Sequence, residues 1–510
     1  MPVHPAGASD PPLAGVEPEQ ACDPLILALD VGTSSVRAIV YDALGRAMGA
    51  GTHLGYQMDT TPDGGVEIDA DRQLGIIGEC IDGALRDAAN LQARLGGVAC
   101  STFWHSLVGV GADGRALTPV FIWNDTRSRE DAAGLAARVD VDSVHARTGA
   151  RPHASYWPAK LLWLRRTRPD VFKRVARWMS PGEYIHLRFF GRTLCSVSMA
   201  SGTGLFNPNA CDWDAGMLAE SSIEARQLSP LAGDRDALRG LIHEYASRWP
   251  ALGQLPWTPA CGDGACSNVG SGCVTKQFLA LMVGTSGAMR VCWPADRVHI
   301  PRGLWCYRAN RRYALLGGAL SNAGDVYAWC LDRLRIDSRD LERELHSLAP
   351  DAHGLTVLPF FSGERSTGWA DGARATITGM SLSTRPVDVL QASLEAVAYR
   401  FAAIYDQLRE EVAGDLTIVA SGGGILHSSV WTEMMADVIG VPVMASAIPE
   451  ASSRGAALLA LESLGHLADL GSIPAPQGRV FQPDASRHEA YRRGRERQGG
   501  LYDRLIKPRE

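Results

Sequence analysis

Short apolar segments recur along this chain, separated by glycine-rich turns or by stretches with helical spacing. An uninterrupted apolar run predicts a strand buried on both faces of a sheet. Apolar residues spaced three and four apart predict an amphipathic helix instead. We predict strands at 25–31, 36–41, 46–52, 97–101, 278–283, 288–293, 313–316 and 416–420, and helices at about 70–95, 390–408, 431–439 and 453–464, the last capped by serines.

One strand-and-loop pattern occurs twice in the chain. Residues 27–34 read LALDVGTS and residues 279–286 read LALMVGTS, so the two copies differ only where Asp30 is replaced by Met282. A returning strand follows each loop, whereas a helix follows the loop in P-loop and Rossmann proteins. Strands and helices that alternate in two similar halves predict an α/β fold of two duplicated domains around a central cleft.

The length of the chain also predicts more than one hydrophobic core, because 510 residues exceed what a single core holds. We expect a disordered tail at 1–22, an N-terminal domain at 23–272, a C-terminal domain at 273–480 and a C-terminal extension at 481–510. Residues 151–260 have weaker periodicity, and we expect them to shape the substrate side of the cleft.

Charge and composition argue against several classes of protein. The formal net charge is −6, so the composition does not indicate a broad basic surface that would bind nucleic acid. No segment has the ~20 apolar residues of a membrane span, and the N-terminus lacks a secretory signal. The 11 cysteines form no CxxC pair, and the spacing of Cys261, Cys266 and Cys273 fits no usual zinc site. We expect a cytoplasmic protein with reduced cysteines and no membrane contact.

The two duplicated loops are candidate phosphate-binding sites. Their glycine, threonine and serine residues offer backbone N–H groups and hydroxyls to phosphate oxygens; these are Gly32, Thr33 and Ser34 in the first loop and Gly284, Thr285 and Ser286 in the second. A single loop of this kind is more often an ordinary tight turn, but the duplication favours phosphate binding. Asp30 ends the strand before the first loop, where it serves either as a Mg²⁺ ligand through water or as a local cap.

A second candidate carboxylate is Asp263, which stands between two glycines and is followed by small residues. This pattern is typical of a carboxylate at the start of a tightly packed helix. There it can accept the proton of an alcohol that attacks phosphorus. A helix N-cap explains the same residues equally well.

Two further groups of residues suit a nucleotide and a polyhydroxylated ligand. Gly422, Gly423 and Gly424 follow a predicted strand, where a flat base or ribose can lie on the backbone, although a plain turn fits equally well. Trp104 and His105 close one apolar strand, and Asn124 and Asp125 follow another. Aromatic faces against C–H groups and polar tips against hydroxyls suit a sugar. A lone histidine such as His105 is more often structural.

These segments together resemble the FGGY carbohydrate kinases, which have the actin-like and hexokinase-like ATPase fold related to ribonuclease H. The matches run in order from about residue 25 to residue 464. The matching segments are 30–35, 121–127, 262–270, 284–286, 362–365 and 421–424. Within the family the chain is most similar to the gluconokinase branch, on residues 101–106, 267–270, 284–290, 317–322 and 363–366. Xylulokinases usually differ at 103–106 and carry an Asn at the place of Gly264.

The resemblance implies phosphoryl transfer from MgATP to a primary hydroxyl of an open-chain sugar acid, with D-gluconate as the expected substrate. It implies Asp263 as the general base and Asp30 as the residue that holds Mg²⁺. The duplicated loops would contact the phosphates, and Gly318 and Gly422–Gly424 the adenosine. The expected sugar contacts are Trp104, His105, Asn124, Asp125, Ser155, Tyr156 and Asp263.

The resemblance also makes a homodimer plausible. Two alternatives remain open at this point. One is another FGGY kinase, for xylulose, a polyol or a signalling sugar. The other is a non-catalytic actin-like nucleotide-binding protein, which would have no need of both Asp30 and Asp263.

Overall fold

The computed structural model describes residues 15–336, 338–412, 414, 416–474 and 478–507. Two large mixed sheets dominate it, each covered by helices. The α-helices are Ala70–Asp87, Arg129–Ala136, Val141–Thr148, Trp157–Thr167, Pro169–Arg174, Pro181–Phe190, Val197–Ser201, Ala215–Glu220, His243–Arg248, Asp263–Gly270, Gly324–Arg333, Leu341–Ser347, Pro386–Leu408, Gly423–Leu426, Ser429–Ile439, Ala451–Ser463 and Ala485–Leu505. Short 3₁₀ turns lie at Pro18–Gln20, Gln92–Arg94, Ala225–Gln227, Pro250–Leu252, Ser338–Asp340 and Leu470–Ser472.

The N-terminal sheet has five strands, and the C-terminal sheet has seven. In spatial order the N-terminal strands are Cys261–Gly262, Leu95–Thr102, Leu25–Val31, Ser35–Tyr41 and Thr52–Gly55. The C-terminal strands are Trp305–Arg308, Tyr313–Leu320, Gly287–Pro294, Phe278–Val283, Thr417–Ser421, Val443–Ala445 and Val480–Phe481. Smaller sheets join Asp59–Thr60, Val66–Ile68 and Val120–Phe121; Val108–Val110 and Arg177–Met179; Phe206–Asn207 and Asp212–Trp213; and Thr356–Leu358 and Thr376–Thr378.

The duplication read from the sequence is a duplication of sheet topology. Leu25–Val31 pairs antiparallel with the strand after its loop and parallel with Leu95–Thr102. Phe278–Val283 has the same two kinds of neighbour, antiparallel Gly287–Pro294 and parallel Thr417–Ser421. The prediction of a two-domain α/β fold is confirmed.

The two domains meet where the helix Asp263–Gly270 crosses the helix Ala451–Ser463. A Cβ atom added at Gly455 would lie 1.8 Å from the carbonyl oxygen of Cys266, and one added at Gly270 would lie 1.8 Å from that of Ala451. Glycine at both positions therefore lets the two backbones touch. This crossing places the start of the helix Asp263–Gly270 at the cleft between the domains.

Gly455→Ala should lower the free energy of unfolding by about 3 kcal/mol, because its Cβ meets backbone that cannot move aside cheaply. Gly75→Ala is the matched control. Gly75 is an exposed residue of the helix Ala70–Asp87, and an added Cβ there meets nothing within 4 Å. It should raise the free energy of unfolding by about 0.5–1 kcal/mol. Urea unfolding of both variants measures the difference, and equal effects would contradict the close helix crossing.

Several predicted elements need correction. The third strand, predicted at 46–52, lies at Thr52–Gly55, and Ala47 makes only an isolated bridge to Tyr41. The strand predicted at 313–316 continues to Leu320, so that two glycines lie inside it. The helix Ala451–Ser463 follows Glu450 without a side-chain cap, because the Ser453 hydroxyl bonds to Tyr41 and to the carbonyl of Glu450 instead.

The two ends of the chain also differ from expectation. Residues 1–14 of the predicted tail lie outside the described residues. The rest of that tail is packed, because Val16 N–H donates to the Ala47 carbonyl and Arg94 donates to the carbonyls of Pro18 and Ala21. The boundary predicted after residue 480 cuts the strand Val480–Phe481, which is paired into the C-terminal sheet.

The last helix, Ala485–Leu505, is likewise part of the C-terminal domain. Within it, Gln498 donates to the carbonyls of Val357 and Ala396, and Tyr502 donates to Glu364 at 2.6 Å. These buried bonds tie the end of the chain to the domain core. Among the residues that the structure describes, no helix is both long and apolar enough to cross a bilayer.

Candidate active site

A cleft of about 460 Å³ opens between the two domains. Most residues predicted for the site line it: Asp30, Gly32, Thr33, Ser34, Trp104, His105, Ser155, Tyr156, Asp263, Gly284, Thr285 and Ser286. Six predicted residues are not among its lining: Asn124, Asp125, Gly318, Gly422, Gly423 and Gly424. The tertiary structure therefore brings together both loops, both candidate carboxylates and the aromatic segment.

The two loops close two similar hairpins. Gly32 N–H donates to the Ser35 carbonyl at 2.9 Å, and Gly284 N–H donates to the Ser286 carbonyl at 3.0 Å. Strand pairing resumes at Val36 in the first hairpin and at Gly287 in the second, so the second loop is one residue shorter. Both loops face the cleft from opposite domains.

Asp30 is the acidic residue that distinguishes the two hairpins. Strand register places it opposite Ser101 on one neighbouring strand and opposite Arg37 on the other. Burial raises its pKa from 3.8 to about 6, against the lowering effects of Arg37 and Ser101, and the nearby Asp263 carboxylate raises it further. Arg37 is held by an ion pair to Glu450 at 3.1 Å. Asp30 is thus a buried carboxylate at the cleft, and among the described residues no cation fully neutralises it.

Asp263 is the first residue of the helix Asp263–Gly270, and Gly262 is the N-cap. The N-cap interpretation of Asp263 is therefore wrong. The Asp263 carboxylate accepts a hydrogen bond from Gly264 N–H at 2.7 Å and lines the cleft. Burial raises its pKa, while this backbone hydrogen bond and the charge of Arg290 lower it. A carboxylate in this position can accept a proton from a ligand in the cleft.

An aromatic wall, defined here as Trp104, Tyr156, Trp305 and Tyr307, lines one end of the cleft. The Trp104 indole N–H donates to the Ser198 carbonyl at 2.9 Å, and the hydroxyls of Tyr156 and Tyr307 lie 2.6 Å apart. The rings of Trp305 and Tyr307 are stacked, with centroids 4.3 Å apart. Because these residues come from both domains, the wall exists only in the folded chain.

His105 is held in one orientation at the same end. Its backbone has a φ of 66°, its Nδ1–H donates to the Gly202 carbonyl, and its ring meets that of Tyr156 edge-on. Burial lowers its pKa to about 3, so the imidazole is neutral in neutral solution. It can therefore offer a neutral hydrogen-bonding group to a ligand.

Arg365 reaches the cleft from the C-terminal domain. Its guanidinium lies 5.2 Å from the centre of the Trp123 ring, and its Nη2 donates to the Leu320 carbonyl at 3.1 Å. Its Nε is buried without a hydrogen-bond partner, and among the described residues no carboxylate forms an ion pair with it. Burial lowers its pKa, against the opposing effects of Tyr156 and Tyr307.

The predicted sugar contacts Asn124 and Asp125 are placed elsewhere. Asn124 is exposed, and Asp125 is buried in an ion pair with Arg127, whose guanidinium also pairs with Glu67. The Asp125 carboxylate also accepts from Val66 N–H at 3.2 Å. Its hydrogen-bonding capacity is used within the N-terminal domain.

The glycines predicted for adenosine fall into two groups. Gly318 lies inside the strand Tyr313–Leu320, and a Cβ added there would meet Ile404 at 2.8 Å, so it faces the core. Gly422–Gly424 lie next to the second phosphate loop. A Cβ at Gly424 would lie 3.2 Å from the Gly284 carbonyl oxygen.

Several cleft residues were not among the predicted contacts. They are Arg37, Trp123, His153, Ser267, Arg290, Trp305, Tyr307, Arg365 and Trp369. Arg290 and Arg365 are the last residues of two segments on which the family resemblance was based. A charged residue next to a glycine-rich motif was the sequence signal that could have predicted them as cleft residues. Trp305 and Tyr307 gave no such signal.

The buried Lys160 was also missed. Its Nζ donates to the Ala154 carbonyl at 3.0 Å and to that of Ser155, so it fixes the backbone beside the aromatic wall.

Two domains of one topology, each with a phosphate-sized hairpin loop facing a shared cleft, define the class of two-domain α/β phosphotransferases with the actin-like ATPase fold. Family models identify the family within that class. The FGGY N-terminal domain matches residues 25–270, and the FGGY C-terminal domain matches residues 279–464. The chain belongs to the FGGY family of carbohydrate kinases, which transfer a phosphoryl group from ATP to an alcohol group.

Full-length relatives agree with this assignment. A gluconokinase of Bacillus subtilis is 25% identical over 474 residues, which cover 90% of this chain and 91% of the relative. A xylulose kinase of Escherichia coli is 27% identical over 505 residues, which cover 94% and 99%. The crystal structure of gluconate kinase from Lactobacillus acidophilus matches with a TM-score of 0.87 and 25% identity, over 94% of this chain and 98% of that one. Relatives named for different sugars are about equally similar, so the choice of sugar rests on the cleft residues.

Proposed function

We propose that this kinase phosphorylates a primary hydroxyl of an open-chain sugar acid, with D-gluconate as its substrate. The observation that carries this proposal is the unneutralised Arg365 at the aromatic end of the cleft. A buried guanidinium without an ionic partner is costly, and an incoming carboxylate would remove that cost. Arginine and carboxylate also match in geometry, because two N–H groups can face two oxygens.

The aromatic wall supports the same class of ligand. Trp104, Tyr156 and Tyr307 offer ring faces to the C–H groups of an open carbon chain and phenolic groups to its hydroxyls. The neutral His105 adds a hydrogen-bonding group without repelling or attracting charge. A carboxylate held by Arg365 would anchor one end of the chain, and the other end would extend toward Asp263.

In the proposed reaction Asp263 orients the substrate hydroxyl and accepts its proton as the oxygen attacks the terminal phosphorus of ATP. The oxygen–phosphorus bond forms, the bond to the bridging oxygen breaks, and ADP leaves with that electron pair. Thr33 and Ser34 would hold the transferred group, and Gly284–Ser286 the other phosphates. Closure of the domains would exclude water and so limit wasteful hydrolysis of ATP.

The residues of the cleft fit Mg²⁺, which prefers oxygen ligands. The Asp30 carboxylate lines the cleft, is buried, and is not fully neutralised by a protein cation. Asp30 would hold the ion, which when bound would offset the negative charge of the phosphates. Met282 occupies the matching position of the second hairpin and offers no such ligand.

A substrate panel tests the proposal directly. Purified protein with MgATP is offered gluconate, xylulose, glycerol and ribitol, and ADP release is measured against a reaction without sugar. We expect gluconate to give the highest kcat/KM. A panel in which only xylulose or a neutral polyol responds would replace the sugar acid with that substrate class.

Arg365→Met should raise KM for gluconate about 100-fold, because a charged hydrogen bond to the carboxylate is lost. Its KM for MgATP should stay near that of the wild type. Sorbitol, the neutral analogue of gluconate without the carboxylate, provides the control substrate. We expect the low kcat/KM for sorbitol to change less than threefold in the variant. An equal loss of kcat/KM for both substrates would reject the proposal that Arg365 binds the substrate carboxylate.

A further inference from the structure

Arg290 is a buried cation beside the proposed base. It lies on the strand Gly287–Pro294, shortly after the second phosphate loop, and its side chain lines the cleft although the residue is only 4% exposed. Its Nε and Nη2 atoms are buried and have no hydrogen-bond partner. Within the described part of the chain, no carboxylate lies close enough to form an ion pair with it.

A second buried arginine, Arg308, provides a comparison, because its guanidinium is hydrogen-bonded within the protein. Arg308 is 1% exposed, and its three nitrogens donate to the carbonyls of Pro208, Ala295, Arg311 and Asp296 at 2.6–2.9 Å. Its hydrogen bonds are made within the protein. Arg290 is almost equally buried, and within the described part of the chain its Nε and Nη2 make no such bonds. Their hydrogen-bonding capacity is unused in the protein, and a ligand would meet them after a small movement of the side chain or closure of the domains.

Two glycines make room for the Arg290 side chain. A Cβ added at Gly264 would lie 2.3 Å from its Nη1, and one added at Gly317 would lie 2.7 Å from its Cγ. Gly264 directly follows Asp263, so this arrangement holds the guanidinium beside the carboxylate without an ion pair. An oxygen atom of a ligand near Asp263 would meet both groups.

We propose that Arg290 is a further catalytic residue, which donates its free N–H groups to the phosphoryl group as that group arrives next to Asp263. The inference rests on the proposed role of Asp263 as base. The substrate proton passes to Asp263, the new oxygen–phosphorus bond forms, and ADP departs with the electrons of the broken bond. Throughout, Arg290 keeps its proton and its positive charge, which faces the negative phosphoryl oxygens.

The test compares Arg290→Met, Arg290→Lys and Arg290→Ala with the wild type in two reactions. One is phosphoryl transfer to whichever sugar of the panel the wild type uses best. The other is the slow hydrolysis of MgATP without sugar, in which water replaces the hydroxyl. We expect Arg290→Met to lose about 10²–10³-fold in kcat in both reactions, with KM for the sugar within threefold. Arg290→Lys should recover part of the loss, and added guanidinium ion should partly restore Arg290→Ala.

Arg308→Met is the matched control for the removal of a buried arginine. It should lower the melting temperature without a selective loss of kcat and without rescue by guanidinium. A change in KM for the sugar alone, with normal hydrolysis of ATP, would overturn the proposal and make Arg290 a sugar contact. Wild-type kcat in the folded variants would overturn it as well.

The design separates this inference from the choice of sugar. If gluconate fails in the panel, the sugar proposal falls, while the hydrolysis reaction still measures the role of Arg290. If gluconate succeeds and Arg290→Met hydrolyses ATP normally, the sugar proposal stands and the catalytic role of Arg290 is rejected.

Discussion

Asp263→Asn should lower kcat by about 10²–10⁴-fold, the range that general-base catalysis supplies. The amide has the size of the carboxylate, and its oxygen can still accept the hydrogen bond from Gly264 N–H. It cannot take the proton of the attacking hydroxyl. Binding of ATP should therefore remain near that of the wild type, because the proposed phosphate contacts lie in the two loops.

A coupled assay of ADP release measures kcat, and calorimetry measures nucleotide binding. Asp125→Asn is an informative control, since Asp125 is also a buried carboxylate but pairs with Arg127. Its loss should lower the melting temperature and leave kcat within about tenfold in the folded protein. Near wild-type turnover of Asp263→Asn would reject the assignment of the base.

The pH dependence of activity follows from the two carboxylates that line the cleft, Asp263 and Asp30. Burial raises the pKa of Asp263 and raises that of Asp30 to about 6. Both carboxylates are proposed to act in their ionised forms, so kcat/KM, which reports the groups of the free protein, should fall as the pH is lowered through about 6. A pH profile of kcat/KM measures this. The plateau should lie above neutral pH.

Asp30→Asn should have opposite effects on activity and stability. The amide loses the charge that is proposed to hold Mg²⁺, so the Mg²⁺ concentration for half-maximal rate should rise by at least about tenfold. Stability should increase at neutral pH. In the wild type the folded protein favours protonated Asp30, and this contribution is lost as the pH rises from 3.8 to about 6.

The size of that stability effect follows from the pKa shift, because each pKa unit corresponds to about 1.4 kcal/mol. Without nucleotide and metal, Asp30→Asn should raise the free energy of unfolding by about 3 kcal/mol at pH 7 and by little below pH 4. Urea unfolding at both pH values gives the comparison. An unchanged Mg²⁺ titration would reject the metal role, and a destabilised variant at pH 7 would reject the uncompensated burial of Asp30.

The gain in stability on loss of function would show why only one hairpin carries the acid. In the second hairpin the partly buried Met282 carries no charge and so has no such electrostatic cost. In the first, the buried Asp30 destabilises the empty protein, and such a cost is typical of residues kept for binding or catalysis.

Much of the candidate site could be predicted because its parts are local. The loops at 32–34 and 284–286 each follow a buried strand within a few residues, so strand pattern and glycine position already predict an exposed turn. Asp263 stands at a helix start that its neighbours specify. The repeat of one strand-and-loop pattern also predicted two domains of one topology.

The predictions from sequence were wrong where the role of a residue depends on which distant residue it contacts or on the direction of its side chain. Asp125 looked available to a sugar, but Arg127, Glu67 and Val66 N–H enclose it in the N-terminal domain. Gly318 looked like the end of a strand, yet the strand continues and its alternation turns that position toward Ile404. Neither outcome follows from the neighbouring residues along the chain.

The sequence by itself determined the local elements: two unequal hairpin loops, a carboxylate beside one of them and a carboxylate at a helix start. Only the tertiary structure decided which distant residues share the cleft, because Arg290, Tyr307 and Arg365 meet Asp263 and Tyr156 through the packing of two domains. It also decided which cations are neutralised, since burial and hydrogen bonding depend on every neighbour in space. The two arginines that have no carboxylate partner among the described residues, from which the substrate and catalytic proposals start, are therefore features of the fold.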